Sequence, residues 1–214
     1  MENLSKYIDH TLLRADASID EIGKLCAEAD RYGFCSVCVN SAYVKNAKEF
    51  LRNQDVKVCS VVGFPLGAMC TKAKSFEAKC AIEDGASEID MVINVGWVKS
   101  GRFDLVQSDI KSLRDTCRGV VLKVIFETAL LNKEQIQKVC EISKELGVDF
   151  VKTSTGFSTR GASVEDVKIM KSVVGDKIGI KASGGIRSYE KAVEMMEAGA
   201  TRLGTSSGIK IVEN

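Results

Sequence analysis

At 214 residues the chain can bury one large core, and it carries no Pro/Ser-rich linker or composition shift, so a single domain over residues 1–214 is expected. Charge is nearly balanced, with 30 Lys+Arg against 29 Asp+Glu and no basic block, which leaves no electrostatic basis for a nucleic-acid or membrane-surface partner. No apolar run approaches the roughly 20 residues of a membrane span, and Met1-Glu2-Asn3 lacks the charged-then-apolar start of a signal peptide, so a cytoplasmic location is expected.

In chain order, Tyr7 to Leu13 reads as a first strand. Ser18-x-x-Glu21 then forms a capping box for a helix with Ile19, Ile22, Leu25, Cys26 and Ala29 at helical spacing and Gly33 as its stop. Ser36 to Asn40 predicts a second strand, Ala42 to Leu51 a helix, and Lys57 to Val62 a third strand leading into a Gly-Phe-Pro-Leu-Gly turn. A helix marked by Phe76 and Cys80 precedes the fourth strand, Glu88 to Asn94. Val106, Ile110, Leu113 and Cys117 face the next helix, and Val120 to Phe126 is the fifth strand. Asn132-x-x-Gln135 and Ser163-x-x-Asp166 open the helices on either side of the sixth strand at Phe150. The seventh strand begins at Ile178, Ser188 opens another helix, and Thr201 to Gly204 is the eighth strand.

Helix, glycine and strand thus repeat with a period near 30 residues, as right-handed βαβ units require. Eight such units predict an α/β fold of the (β/α)8 TIM-barrel class, with short loops because the chain is near the lower size limit of roughly 200 residues. A doubly wound open sheet is the alternative. It would place its glycine-rich phosphate turn after the first strand, whereas here those turns follow strands seven and eight.

Cys35-Ser-Val-Cys38 is a C-x-x-C, but it leads into a strand rather than opening a helix, and His10 is the only histidine. Redox and zinc chemistry are therefore disfavoured, and Cys26, Cys80, Cys117 and Cys140 on predicted helix faces and Cys38 and Cys59 in predicted strands read as small hydrophobes in a reducing compartment.

The informative positions are charges inside apolar strands. Lys123, Lys152 and Lys181 recur at 29-residue intervals, and Asp90 sits in Glu88-Ile89-Asp90-Met91-Val92. Alternate barrel-strand residues point inward, so these four are expected to share one axial site. A set of buried ion pairs that only fixes the barrel is the bland reading. Excess positive charge, however, lowers a lysine pKa toward neutrality, and a neutral amine can attack a carbonyl and become a Schiff base that acts as an electron sink for carbon-carbon cleavage. Gly184-Gly185 and Gly204 to Gly208 add backbone N–H groups and hydroxyls where barrels frequently bind phosphate.

Seven motifs then carry a family resemblance: I-D-H-T-L-L at Ile8, V-V-G-F-P-L-G-A at Val61, E-I-D-M-V-I-N at Glu88, L-K-V-I-F-E-T at Leu122, K-T-S-T-G-F at Lys152, K-A-S-G-G-I at Lys181 and R-L-G-T-S-S-G at Arg202. Over essentially its whole length the chain resembles the deoxyribose-phosphate aldolases. The resemblance implies a class I enzyme with no cofactor and no metal, which interconverts 2-deoxy-D-ribose 5-phosphate with acetaldehyde and D-glyceraldehyde 3-phosphate in deoxyribonucleotide catabolism. It implies Lys152 as the Schiff-base lysine, Lys181 as the ammonium that lowers its pKa and relays protons, and Asp90 as general acid/base. Gly156, Gly184, Gly185, Ser206 and Ser207 would hold phosphate, and Lys123 would assist at the substrate hydroxyls. The expected partner is a small sugar phosphate, and the chain is compatible with a homo-oligomer. Ser41 and Met69-Cys70 depart from the family pattern, which bears on loop geometry.

Two other readings differ in what they need. A keto-acid sugar-phosphate aldolase would want an arginine beside the lysine, and no strand-end arginine is evident next to Lys152 or Lys181. A non-catalytic sugar-phosphate binder would have no use for two facing lysines, and trapping with borohydride separates it from both aldolases.

Overall fold

Each of the eight predicted strands is present and is followed by helix, and the strands close on themselves in sequence order as a parallel barrel. The computed structural model describes residues 4–213, so the expectation about Met1-Glu2-Asn3 lies outside the described residues. The strands are β1 (Ile8–Leu12), β2 (Ser36–Asn40), β3 (Lys57–Val62), β4 (Glu88–Val92), β5 (Val121–Ile125), β6 (Phe150–Lys152), β7 (Gly179–Ser183) and β8 (Arg202–Thr205). Between and after them run α1 (Ile19–Tyr32), α2 (Val44–Phe50), α3 (Thr71–Glu83), α4 (Val95–Lys99), α5 (Phe103–Thr116), α6 (Lys133–Glu145), α7 (Val164–Val174), α8 (Tyr189–Glu197) and α9 (Gly208–Val212). β1 pairs with β8 through Ile8↔Leu203 and Asp9↔Gly204, which seals the barrel.

Local signals account for the helix ends. Ser18 and Asn132 each complete a reciprocal capping box, with Glu21 and Gln135 respectively, and Gly33 closes α1 in the left-handed conformation. The second helix is shorter than predicted, because residues Ser41–Tyr43 form a 3-10 turn before α2 begins. Helix α3 differs in its packing. Phe76 is 68% exposed, and the inward positions are held by Lys74, Ala78 and Ala81.

Strand alternation divides the interior into two layers. In β4, Ile89 and Met91 point outward into the apolar layer beneath the helices, where full burial contributes about 1.5–3 kcal/mol per side chain. Glu88 and Asp90 point the other way, into the barrel. The axis is therefore polar, apart from a small cluster of Leu13, Cys38, Cys59 and Val61. Register sets the height of each axial group: Asp90 is level with Lys123, and Lys152 is level with Lys181.

Candidate active site

Asp90 is the centre of the axial network. Its Oδ2 accepts hydrogen bonds from Lys152 Nζ and Lys181 Nζ, both at 2.8 Å, and its Oδ1 accepts from Lys123 Nζ at 2.9 Å and Cys59 Sγ at 3.1 Å. Lys181 also reaches Asp9 at 2.5 Å, and Lys123 reaches Glu88 at 2.5 Å. Arg202 joins the two outer carboxylates, lying 2.8 Å from Asp9 and 3.1 Å from Glu88. All four predicted axial residues thus share one site. Asp9, Glu88 and Arg202 complete it.

These additions change the charge count. Three lysines against Asp90 alone would leave an excess of two positive charges; four cations against three carboxylates leave one. Burial pushes the Asp90 carboxyl up, but the ammonium groups of Lys123, Lys152 and Lys181 together outweigh it and hold the group well below the usual carboxylate range. For Lys181, burial alone would favour the neutral amine, yet Asp9 and Asp90 prevail and raise its pKa well above the ordinary lysine value. Lys123 is raised likewise, chiefly by Asp90 acting against burial. Arg202, the first residue of β8, stands in register with Lys181, a neighbour that the sequence reading of strand-end arginines beside the lysines did not name. Its guanidinium is committed to Asp9 and Glu88, so it offers no free fork for a substrate carboxylate.

Above this network opens a cavity of about 330 Å³ at the C-terminal ends of the strands. Lys152 lines it, whereas Lys123 and Lys181 are fully buried beneath. Gly156, Gly184, Gly185 and Ser206 form part of the wall. Ser207 does not: it lines an adjoining cleft with His10 and Glu28, and its backbone N–H donates to Thr205 Oγ1 at 2.9 Å. Lys123, level with Asp90, holds its Oδ1 and does not line the cavity. Arg187, one residue past K-A-S-G-G-I, is an exposed cation on the cavity wall that the motif reading passed over.

The glycines allow this wall to be built from backbone. A Cβ on Gly161 would lie 2.0 Å from the Gly184 carbonyl oxygen, and Gly156 and Gly184 both have positive φ, at 89° and 85°. The loops after β6 and β7 therefore meet main chain to main chain. Gly204 serves the axis instead, since a Cβ there would stand 2.4 Å from Ser183 Oγ and 3.0 Å from Lys181 Cε.

Polar contacts outside the barrel fix the strand ends. Ser41, one of the departures from the family pattern, bonds to Glu77 at 2.8 Å, and Glu77 accepts the Gly63 N–H at 2.9 Å. Lys74, fully buried, bonds to Asp109 at 2.7 Å and to the Val92 carbonyl at 2.8 Å. The second departure, Met69-Cys70, lies in the exposed loop before α3. At the rim, Phe64 and Phe157 meet edge to face with ring centroids 5.3 Å apart.

A DeoC/LacD family aldolase model matches residues 4–214. The chain belongs to that family. The deoxyribose-phosphate aldolase of Finegoldia magna is 62% identical over 210 residues, covering 98% of this chain and 99% of that protein. That of Mannheimia succiniciproducens is 55% identical over 212 residues, covering 99% and 95%. A solved tetrameric deoxyribose phosphate aldolase from Aeropyrum pernix superposes with a TM-score of 0.91 at 35% identity, covering 98% of this chain and 89% of that one. The protein is an aldolase, an aldehyde-lyase.

Among the described residues, two groups of metal-ligand types occur within this aldolase's axis, Cys38 with Cys59 and Asp90, and Asp9 with Cys59 and Glu88. Their carboxylates are already bonded to ammonium or guanidinium groups, so a cation entering either would have to displace resident cations. Cys38 pairs in register with Cys59 rather than with Cys35, whose thiol is pushed up to about 11 by burial. Among the described residues, no helix is long and apolar enough to cross a membrane.

Proposed function

We propose that this aldolase cleaves and forms 2-deoxy-D-ribose 5-phosphate through an imine on Lys152, as part of deoxyribonucleotide catabolism. The observation that carries the reading is the position of Lys152: among the three axial lysines it is the one that both lines the cavity and contacts Asp90. The neutral Lys152 amine attacks the aldehyde carbon, giving a carbinolamine that takes up one proton at its hydroxyl and loses water to become the protonated imine. Removal of the proton from the 3-hydroxyl then breaks the bond between C2 and C3, and its electrons flow into the imine to leave an enamine. D-Glyceraldehyde 3-phosphate departs. Protonation of the enamine at C2 and hydrolysis release acetaldehyde and restore the amine.

Asp90, acting with Lys181 and a water, is the acid/base group in this scheme, and Lys123 supports Asp90 through Oδ1. Gly156, Gly184, Gly185 and Ser206 receive the phosphate, with Arg187 beside them as a countercharge; Ser207 contributes from the adjoining cleft. Assembly as a homo-oligomer is part of the reading, supported by the Aeropyrum pernix tetramer.

A direct assay follows both products from 2-deoxyribose 5-phosphate. Equal molar formation of acetaldehyde and glyceraldehyde 3-phosphate is expected, and consumption of the sugar without acetaldehyde would contradict the reaction.

A further inference from the structure

Glu127 stands out among the groups that the proposed mechanism leaves unused. It is the one non-glycine residue with positive φ among the described residues, at φ 58° and ψ 62°. A glutamate held there is strained relative to glycine or asparagine. The cause is visible in the backbone. Phe126 donates its N–H to the Lys152 carbonyl and Thr128 donates to the Thr153 carbonyl, both at 3.0 Å, so residues two apart beyond β5 bond to residues one apart at the end of β6. Glu127 is the extra residue of a bulge, a device that re-aims a side chain next to a site.

The bulge aims the carboxylate at Thr155, and all of its hydrogen bonds come from that residue. Thr155 Oγ1 donates to Glu127 Oε2, and the Thr155 N–H lies 3.4 Å from both carboxylate oxygens. Thr155 Oγ1 in turn accepts the Phe157 N–H at 3.1 Å. Thr155 and Phe157 form a partition: both line the cavity containing Lys152, and both line a smaller cleft of about 130 Å³ on the other side. Glu127 borders only the smaller cleft and is 5% exposed. It therefore acts on the cavity through the partition rather than by touching what lies inside.

We propose that Glu127 is a positioning residue for substrate binding: from the bulge after β5 it holds Thr155, and so fixes the Thr155-Gly156-Phe157 wall of the cavity above Lys152. The assignment rests on the sugar-phosphate reading of that cavity. It explains why a strained backbone persists at this point, since such strain is retained where the surrounding structure uses it. It also separates two functions, with Asp90 serving bond making and Glu127 serving the remote end of the substrate.

The test measures kcat and KM for 2-deoxyribose 5-phosphate, together with borohydride labelling of Lys152 by acetaldehyde, in wild type and five variants. Glu127→Ala and Thr155→Val should raise KM about tenfold or more, the effect of a lost buried hydrogen bond, while labelling stays within about twofold. Glu127→Gln and Thr155→Ser keep the contact and should stay within about threefold of wild-type KM. Glu127→Gly relieves the backbone strain but removes the carboxylate, so it should match Glu127→Ala in KM even though it folds at least as well. A labelled wild type whose Glu127→Gly variant keeps its KM, or a Glu127→Ala variant that loses labelling as fully as binding, would overturn the assignment of Glu127 alone. A wild type that never labels Lys152 would contradict the cavity reading, and this assignment would fall with it.

Discussion

Lys152 and Lys181 donate to the same oxygen of Asp90, each at 2.8 Å. Their surroundings otherwise differ: Lys181 is fully buried and has Asp9 as a second carboxylate, while Lys152 has Asp90 alone and faces the cavity. One oxygen thus couples a fixed cation to the amine that substrate can reach. Lys181→Leu should remove nearly all turnover. It should also destabilise the barrel by about 3–5 kcal/mol, because Asp9 and Asp90 stay buried with one cation fewer. Turnover near the wild-type rate, with urea unfolding confirming a folded protein, would take Lys181 out of the mechanism.

Asp90 makes stability depend on pH in a defined direction. Its folded pKa lies well below the ordinary 3.8, so its contribution is fully present above that value and is lost progressively as pH falls beneath it. Lys123 and Lys181 are raised above 10.5, so their contribution is fully present below that value and fades as pH rises past it. The gap in urea midpoint between wild type and Asp90→Asn should therefore stay constant from about pH 5 to 9 and narrow below about pH 4. A gap that widens in acid would contradict the ion-pair account.

Ser206 and Ser207 separate the phosphate reading from a general effect on the loop. Ser206→Asp places a negative charge on the cavity wall and should raise KM for the phosphorylated sugar about tenfold or more, with little effect on 2-deoxyribose. Ser207→Asp, whose side chain lines the adjoining cleft, should do less. Equal losses on both sugars would argue against phosphate at this wall. Gly161→Ala should also raise KM, since its Cβ would meet the Gly184 carbonyl at 2.0 Å and force the two loops apart.

The buried pair of Lys74 and Asp109 is structural. Lys74→Met should cost about 3–5 kcal/mol by leaving Asp109 unpaired, and the double variant with Asp109→Leu should recover much of that loss. Denaturant midpoints of the three proteins decide the point. A double variant no more stable than Lys74→Met would show that the pair does more than neutralise itself.

Periodicity made the barrel legible, because a helix-glycine-strand phrase recurs at a spacing near 30 residues and the capping boxes at Ser18 and Asn132 mark helix starts. Asp90, Lys123, Lys152 and Lys181 were legible for a related reason: a charge flanked by apolar residues in a strand has nowhere to go but the axis. Asp9 carries that same signal within I-D-H-T-L-L and could have been read from it. Glu88 and Arg202 open their strands, where a charge usually means solvent, so only barrel closure shows that they turn inward. Lys74 lies on a helix whose other lysines, Lys72 and Lys79, are exposed, and its burial depends on Asp109 approaching from α5. Glu127 could not be found from residue type at all, since its role follows from a backbone bulge.

The central claim is that Lys152 is the nucleophile, and peptide mapping after borohydride reduction in the presence of acetaldehyde tests it most directly. The account predicts a stable two-carbon adduct on Lys152, with Lys152→Arg folded, unlabelled and inactive because the guanidinium stays protonated. An adduct on Lys181 with Lys152 unmodified, or no lysine adduct in a protein that still turns over 2-deoxyribose 5-phosphate, would contradict it.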